Sequence, residues 1–211
     1  MTSPITHPPF LAQPFAAASA AQAQSLLRLS TGLRINRAAD DPSGLIASED
    51  LRAALSILEA ETRSLDRANA VASTADAYLG EMSALLREGD ALAVAAANTA
   101  GMSDAERDAY QMEMDSIANS VSRIAQTAEF NGQSLFNGAN AIAISGDSIA
   151  LDELSLSSVG AIEIDGESYS LSDVVSGGSA DLATNPELAS QVLAAARDQV
   201  ATMRGRIGAF Q

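Results

Sequence analysis

Few side chains in this sequence could do chemistry, and their spacing limits what that chemistry could be. Asp40 and Asp41 are adjacent, with Arg37 and Arg34 just before them and Pro42-Ser43-Gly44 just after. Two neighbouring carboxylates without a third ligand in view fit a turn and helix cap better than a cation site. Arg34 and Arg37 could meet phosphate, but the acids beside them point to a salt-bridged turn at a subunit contact. The only imidazole, His7, lies among prolines and reads as a solvated residue of an arm. The chain has no Cys and no Lys, so thiolate nucleophiles, zinc thiolates, disulfides and a Lys-containing phosphate loop are all excluded. No nucleophile, base and orienting group can be named together, so neither an enzyme nor a cofactor or metal site is expected. Met82, Met102, Met112, Met114 and Met203 read as gap fillers rather than a promiscuous groove.

With no catalytic constellation, the elements themselves become the question. The 211 residues are 47% hydrophobic but only 4% aromatic, which suits interdigitating helices of small aliphatic residues. Twelve basic residues against twenty-seven acidic ones give a net charge of -15. That balance repels nucleic acid and anionic lipid, and no apolar run is long enough to insert in a membrane. The N-terminus has prolines in place of a secretory signal, so if the protein leaves the cell it does so by a route that reads no such signal.

The fold class expected is mainly α, an elongated antiparallel helical bundle or rod with a small β-hairpin insert. Residues 1–40 form an arm and an inner-core helix, with four prolines forbidding helix through about residue 14 and a helix from Phe15 to Leu29 stopping near Gly32. Residues 41–138 hold the N-terminal rod helices. The first runs from about Pro42 or Ser43 to Asn98, roughly 80 Å if continuous, with Leu51, Leu58, Leu65, Ala72, Leu79, Leu86 and Ala93 recurring every seven residues. Four residues after the heptad positions Leu55 fits, but Thr62, Asn69 and Asp76 do not, which favours a bundle over a two-stranded coiled coil. After a turn at Ala100-Gly101-Met102, the capping box Ser103-Asp-Ala-Glu106 opens a second helix with the stripe Tyr110, Met114, Ile117, Val121, Ile124 and Ala128.

Residues 139–180 read as a surface β-insert, with its clearest hairpin at Ala161-Ile162-Glu163-Ile164, the turn Asp165-Gly166, and Glu167-Ser168-Tyr169-Ser170-Leu171. Residues 181–211 form the last, incomplete rod helix, capped by Asn185 with Pro186 and Glu187 and striped by Leu188, Val192, Ala196, Val200, Met203, Ile207 and Phe210. No cap or turn follows Gln211, so a continuation or a partner is expected to complete that helix.

Three segments carry a family resemblance: Leu29-Ser-Thr-Gly-Leu33-Arg-Ile35-Asn36 with Ala39-Asp40-Asp41-Pro-Ser-Gly-Leu45; Thr127 to Gly138, containing Phe130-Asn131-Gly132; and Met203-Arg-Gly-Arg-Ile207-Gly-Ala-Phe-Gln211. Together they resemble bacterial flagellin. The resemblance implies an extracellular structural subunit of the flagellar filament that polymerises with itself, assisted by a flagellar export chaperone and hook-associated proteins. A hook-filament junction protein or a secreted, non-polymerising binder are the alternative readings. The subunit-packing residues expected are Leu29, Leu33, Ile35, Asp40, Asp41, Leu51, Leu58, Leu65, Tyr110, Met114, Ile117, Val121, Ile124, Phe130, Val200, Met203 and Ile207. In the segment equivalent to the one read by the flagellin-sensing Toll-like receptor, the family's Arg-Glu-Leu-Ala-Val is replaced by Asp90-Ala91-Leu92-Ala93-Val94, which implies weak recognition. The Pro-rich arm and the lack of a helix after Gln211 also depart from the family, so normal polymerisation is not expected of the chain as given.

Overall fold

The computed structural model describes residues 12–98, 101–139, 141–144 and 147–211. The proline arm up to residue 11, with His7, and Ala100 of the expected turn lie outside the described residues. The chain divides into two compact units, Met1–Ala60 and Glu61–Gln211.

In the first unit, α1 spans Ala12–Thr31 and α2 begins at Pro42. Helix therefore starts earlier than the prolines suggest, because Pro14 falls in the first turn, where its missing N–H has no intrahelical carbonyl to bond. Gly32, at φ 67°, stops the helix in the left-handed region that other residues adopt at a cost.

The second unit holds the body of the fold. It contains the remainder of α2, which ends at Ala97, α3 over Asp104–Thr127 and α4 over Pro186–Phe210. The capping box at the start of α3 is formed, with Ser103 Oγ accepting from the Glu106 N–H at 3.3 Å and Glu106 Oε2 accepting from the Ser103 N–H at 2.8 Å. Asn185 is the cap residue of α4 and Pro186 opens it, but the Asn185 side chain makes no cap bond. Cross-links from Ser73 to Gln211, Asp76 to Arg204 and Asp90 to Arg197 run in opposite chain directions, so α2 and α4 are antiparallel.

Core packing follows a heptad rule that differs by one residue from the sequence expectation. The buried positions of α2 are Ala68, Ala72, Ala75, Leu79, Met82, Leu86, Gly89, Ala93 and Ala96, with strictly alternating spacings of four and three. The second member of each heptad stands three residues after the first, not four. Asn69 and Asp76 therefore do not interrupt the seam, and Asp76 flanks it where a charged side chain can reach a neighbour. The small residues bring helices close. A methyl built on Gly89 would lie 3.3 Å from Met114 Cε on α3 and 3.4 Å from Leu193 Cδ2 on α4, so three helices converge there.

Among the described residues between α3 and α4, antiparallel pairs are formed by β1 Glu129–Phe130 with β2 Gln133–Ser134, β3 Ala141–Ile144 with β4 Asp147–Ala150, and β5 Ile162–Ile164 with β6 Glu167–Tyr169. The predicted Asp165-Gly166 turn has both φ angles positive, 56° and 84°, as a two-residue hairpin turn requires. The expectation of a surface excursion needs correction. Leu151, Leu154, Val159, Leu171, Val174, Ala180 and Leu182 are buried in the same core cluster as the helices. Apolar groups outside any periodic element are still driven from water, and here they close the side of the bundle.

Candidate functional site

The Asp40-Asp41 turn is built almost entirely from backbone capping. Asp40 Oδ2 accepts from the N–H groups of Asn36 and Arg37, both at 3.2 Å, while its Oδ1 accepts from Gln24 Nε2 on α1 at 2.6 Å. Asp41 Oδ1 accepts from the Gly44 N–H and from Ser43 Oγ, each at 2.9 Å, which makes Asp41 the N-cap of α2. Both carboxylates are held below their ordinary titration range. For Asp40 the main cause is the Asn36 N–H, and for Asp41 the Gly44 N–H, with Arg28 and Arg34 adding weaker field effects. Gly44 leaves room for this arrangement, since a methyl on it would lie 2.7 Å from Ile35 Cδ1 and push the Asp41 and Ile35 side chains aside. The salt-bridged turn expected from Arg34 and Arg37 is not what forms. Among the described residues neither Arg pairs with Asp40 or Asp41 within 4.0 Å, because the carboxylate oxygens are already directed at backbone donors.

The heptad stripe of α2 changes state along its length. Ala72, Leu79, Leu86 and Ala93 are fully buried, whereas Leu51, Leu58 and Leu65 are 66%, 57% and 40% exposed. Leu55, Ile46 and Ile57 are exposed with them. A single surface leucine needs no explanation, but this is a run of large apolar side chains. On the other expected packing residues, Leu29 and Leu33 are exposed and Ile35 is half-buried. Met114, Ile117, Val121, Val200, Met203 and Ile207 lie in the core, and Tyr110, Ile124 and Phe130 pack partly buried against it. The sequence reading missed Ala68, Ala75, Met82, Gly89 and Ala96, which the alternating spacing of three and four would have found.

In the segment 90–94, Asp90 is already paired. Its Oδ2 lies 2.8 Å from Arg197 Nη1, and its Oδ1 accepts from Ser190 Oγ at 3.4 Å, both on α4. Ala93 is buried, Leu92 is half-buried and Val94 is exposed.

Charge is unevenly divided. Residues 1–60 carry four Arg against five acids, and residues 61–211 carry eight Arg against twenty-two acids. Among the described residues no helix is long and apolar enough to cross a membrane.

Comparison with known proteins gives one consistent result. Residues 12–141 match the family described as the bacterial flagellin N-terminal helical region. The chain is similar to polar flagellin F of Vibrio parahaemolyticus, 33% identical over 69% of this chain and 40% of that protein. It is similar to flagellin FlaB1 of Treponema pallidum, 41% identical over 53% of this chain and 38% of that protein. It is also similar to the flagellin of Bacillus subtilis, 28% identical over 92% of this chain and 72% of that protein. The chain thus spans about 40% of the length of the Vibrio and Treponema relatives. The solved structure of FliC from Burkholderia pseudomallei shares the fold, with a TM-score of 0.53 at 14% identity, over 68% of this chain and 98% of that one.

Proposed function

Because the chain belongs to the bacterial flagellin family, we propose that it is a non-enzymatic structural subunit of the flagellar filament that polymerises with copies of itself outside the cell. The observation that carries this reading is the α2 stripe, covered from Ala68 onward and open at Leu51, Leu55, Leu58 and Leu65. Covering the exposed part of those four leucines is worth on the order of 3 to 7 kcal/mol before the cost of association, a gain that is repeated at every contact along a polymer. Head-to-tail association of unlike surfaces generates an open helix rather than a closed ring when the rotation does not close.

In this reading Leu29, Leu33, Ile35, the Asp40-Asp41 turn and the open α2 leucines pack against neighbouring subunits. The α3 and α4 stripes form the packed core of the second unit. Charge supports the same polarity. Residues 1–60 are nearly neutral and can crowd together, while the acid of residues 61–211 would repel at close range and suits a surface facing solvent. A flagellar export chaperone and the hook-associated proteins are the further partners proposed. Sedimentation and negative-stain electron microscopy at rising protein concentration test the assignment. Concentration-dependent association, or addition of the chain to flagellar filament seeds, is expected, short of the normal polymer that the chain as given is not expected to form; a chain that stays monomeric and does not add to seeds contradicts it.

A further inference from the structure

Residues 171–184 are joined to the helical body in an unusual way. Their backbone bonds are mostly internal: Val174 to Leu171, Gly178 to Val175, Ala180 to Asp173, and Thr184 and Asn185 to Asp181. Two more, from Leu171 to Val159 and from Ser172 to Leu156, tie them to the preceding loop. The polar links to α3 come from two side chains one helical turn apart, Gln111 and Asp115. Gln111 is only 6% exposed. Its Oε1 accepts from the Leu182 N–H at 2.6 Å, and its Nε2 donates to the Val174 carbonyl at 3.0 Å and to Asp115 Oδ1 at 2.9 Å. Asp115 Oδ1 also accepts from the Ser176 N–H at 2.8 Å, and its Oδ2 takes a short bond from Ser176 Oγ.

We propose that Gln111 and Asp115 are the latch of a strap, residues 171–184, which opens and closes as a unit without unfolding the three-helix core. A segment that satisfies most of its own backbone, and is tied to α3 by two polar side chains beside its four buried apolar ones, can detach at lower cost than the helices, whose ladders and seams open together. While docked, it keeps Leu171, Val174, Ala180 and Leu182 out of water. The buried amide makes the latch steep. Gln111 bonds one donor and one acceptor of the strap backbone at once, and losing it leaves both unpaired in a dry site.

Native-state hydrogen exchange on the full chain tests this. Below the unfolding midpoint, amides of Val174, Ala180 and Leu182 are expected to exchange at least about tenfold faster than buried α2 and α4 amides, with a weaker dependence on denaturant. Gln111→Ala is expected to speed strap exchange by a further factor of about ten, since an unpaired buried group costs about 1 to 3 kcal/mol, while the helices change less than about twofold. Ser176→Ala, which keeps the Ser176 N–H bond, is the milder variant and should speed the strap alone by a smaller factor. Strap amides that exchange only with the global unfolding of the helices, or a Gln111→Ala effect spread evenly over the unit, would overturn the proposal.

Discussion

Gln211 donates from its side-chain amide to Ser73 Oγ at 3.2 Å, which holds α4 against α2 beside the stripe position Ala72. The stripe position at Ala72 is fully buried, and the preceding one, Leu65, is already 40% exposed. One periodic pattern therefore meets two environments along α2. It packs the core of the second unit from Ala68 onward, and at Leu51, Leu58 and Leu65 its side chains are exposed.

Asp90 shows how a local charge can be committed within the chain. Asp90→Arg would place a cation where Arg197 now finds its partner, so a loss of about 1 to 2 kcal/mol is expected, seen as a fall of a few degrees in the melting temperature. The same variant restores the Arg that the family segment carries and should activate the flagellin-sensing Toll-like receptor more strongly than the native chain. Equal activation by the two would contradict the role given to that charge.

Two glycines should respond to alanine with opposite signs. Gly160 has φ 70°, donates its N–H to Gln199 Oε1 at 3.0 Å, and lies so close to α4 that a methyl would sit 2.6 Å from the Val192 carbonyl oxygen. Gly160→Ala is expected to cost about 2 to 4 kcal/mol from the left-handed backbone and the clash together. Gly205, inside α4, would meet nothing within 4 Å, so Gly205→Ala should gain up to about 1 kcal/mol from helix propensity. Chemical denaturation of both variants measures this, and a shift of the same sign in each would contradict the packing described.

Acid should loosen the turn before α2. Asp40, Asp41 and Glu106 are all held below their ordinary titration range by hydrogen bonds to their carboxylates. Such groups stabilise the fold above their unfolded pKa of about 4, and that contribution is lost as pH falls through the lower folded values. Amide resonances of Asn36, Arg37 and Gly44 followed down a pH titration should shift together below about pH 4. Asp41→Asn should remove the acid response at Gly44, and a response there unchanged by the variant would contradict the capping role.

Much of this was legible in the sequence because the signals were local. The Ser103 to Glu106 box, the Asp165-Gly166 turn and the stripes of α3 and α4 each depend on residues within a turn or two of one another. What escaped depended on distant partners. A heptad period at Leu51 and at Leu79 reads alike, and only the packing of α3 and α4 on α2 shows that Leu79 is covered. The core role of Leu151, Leu154, Val174 and Leu182 has no period to reveal it, and Gln111 looks like an ordinary polar neighbour of the Met114 stripe until the strap packs on it. Arg34 and Arg37 failed as salt-bridge partners because sequence proximity to Asp40 and Asp41 did not reveal that backbone N–H groups would claim those carboxylates first.

The central claim is that the open half of the α2 stripe is where copies of the chain meet. Sedimentation velocity of the native chain and of a Leu51→Glu/Leu58→Glu variant, over the same concentration range and with matched helical circular dichroism, tests it most directly. The account predicts concentration-dependent association for the native chain and a monomer for the variant, since both substitutions lie at exposed positions and leave the core of the second unit untouched. Equal association by the two, or a native chain monomeric throughout, would contradict it.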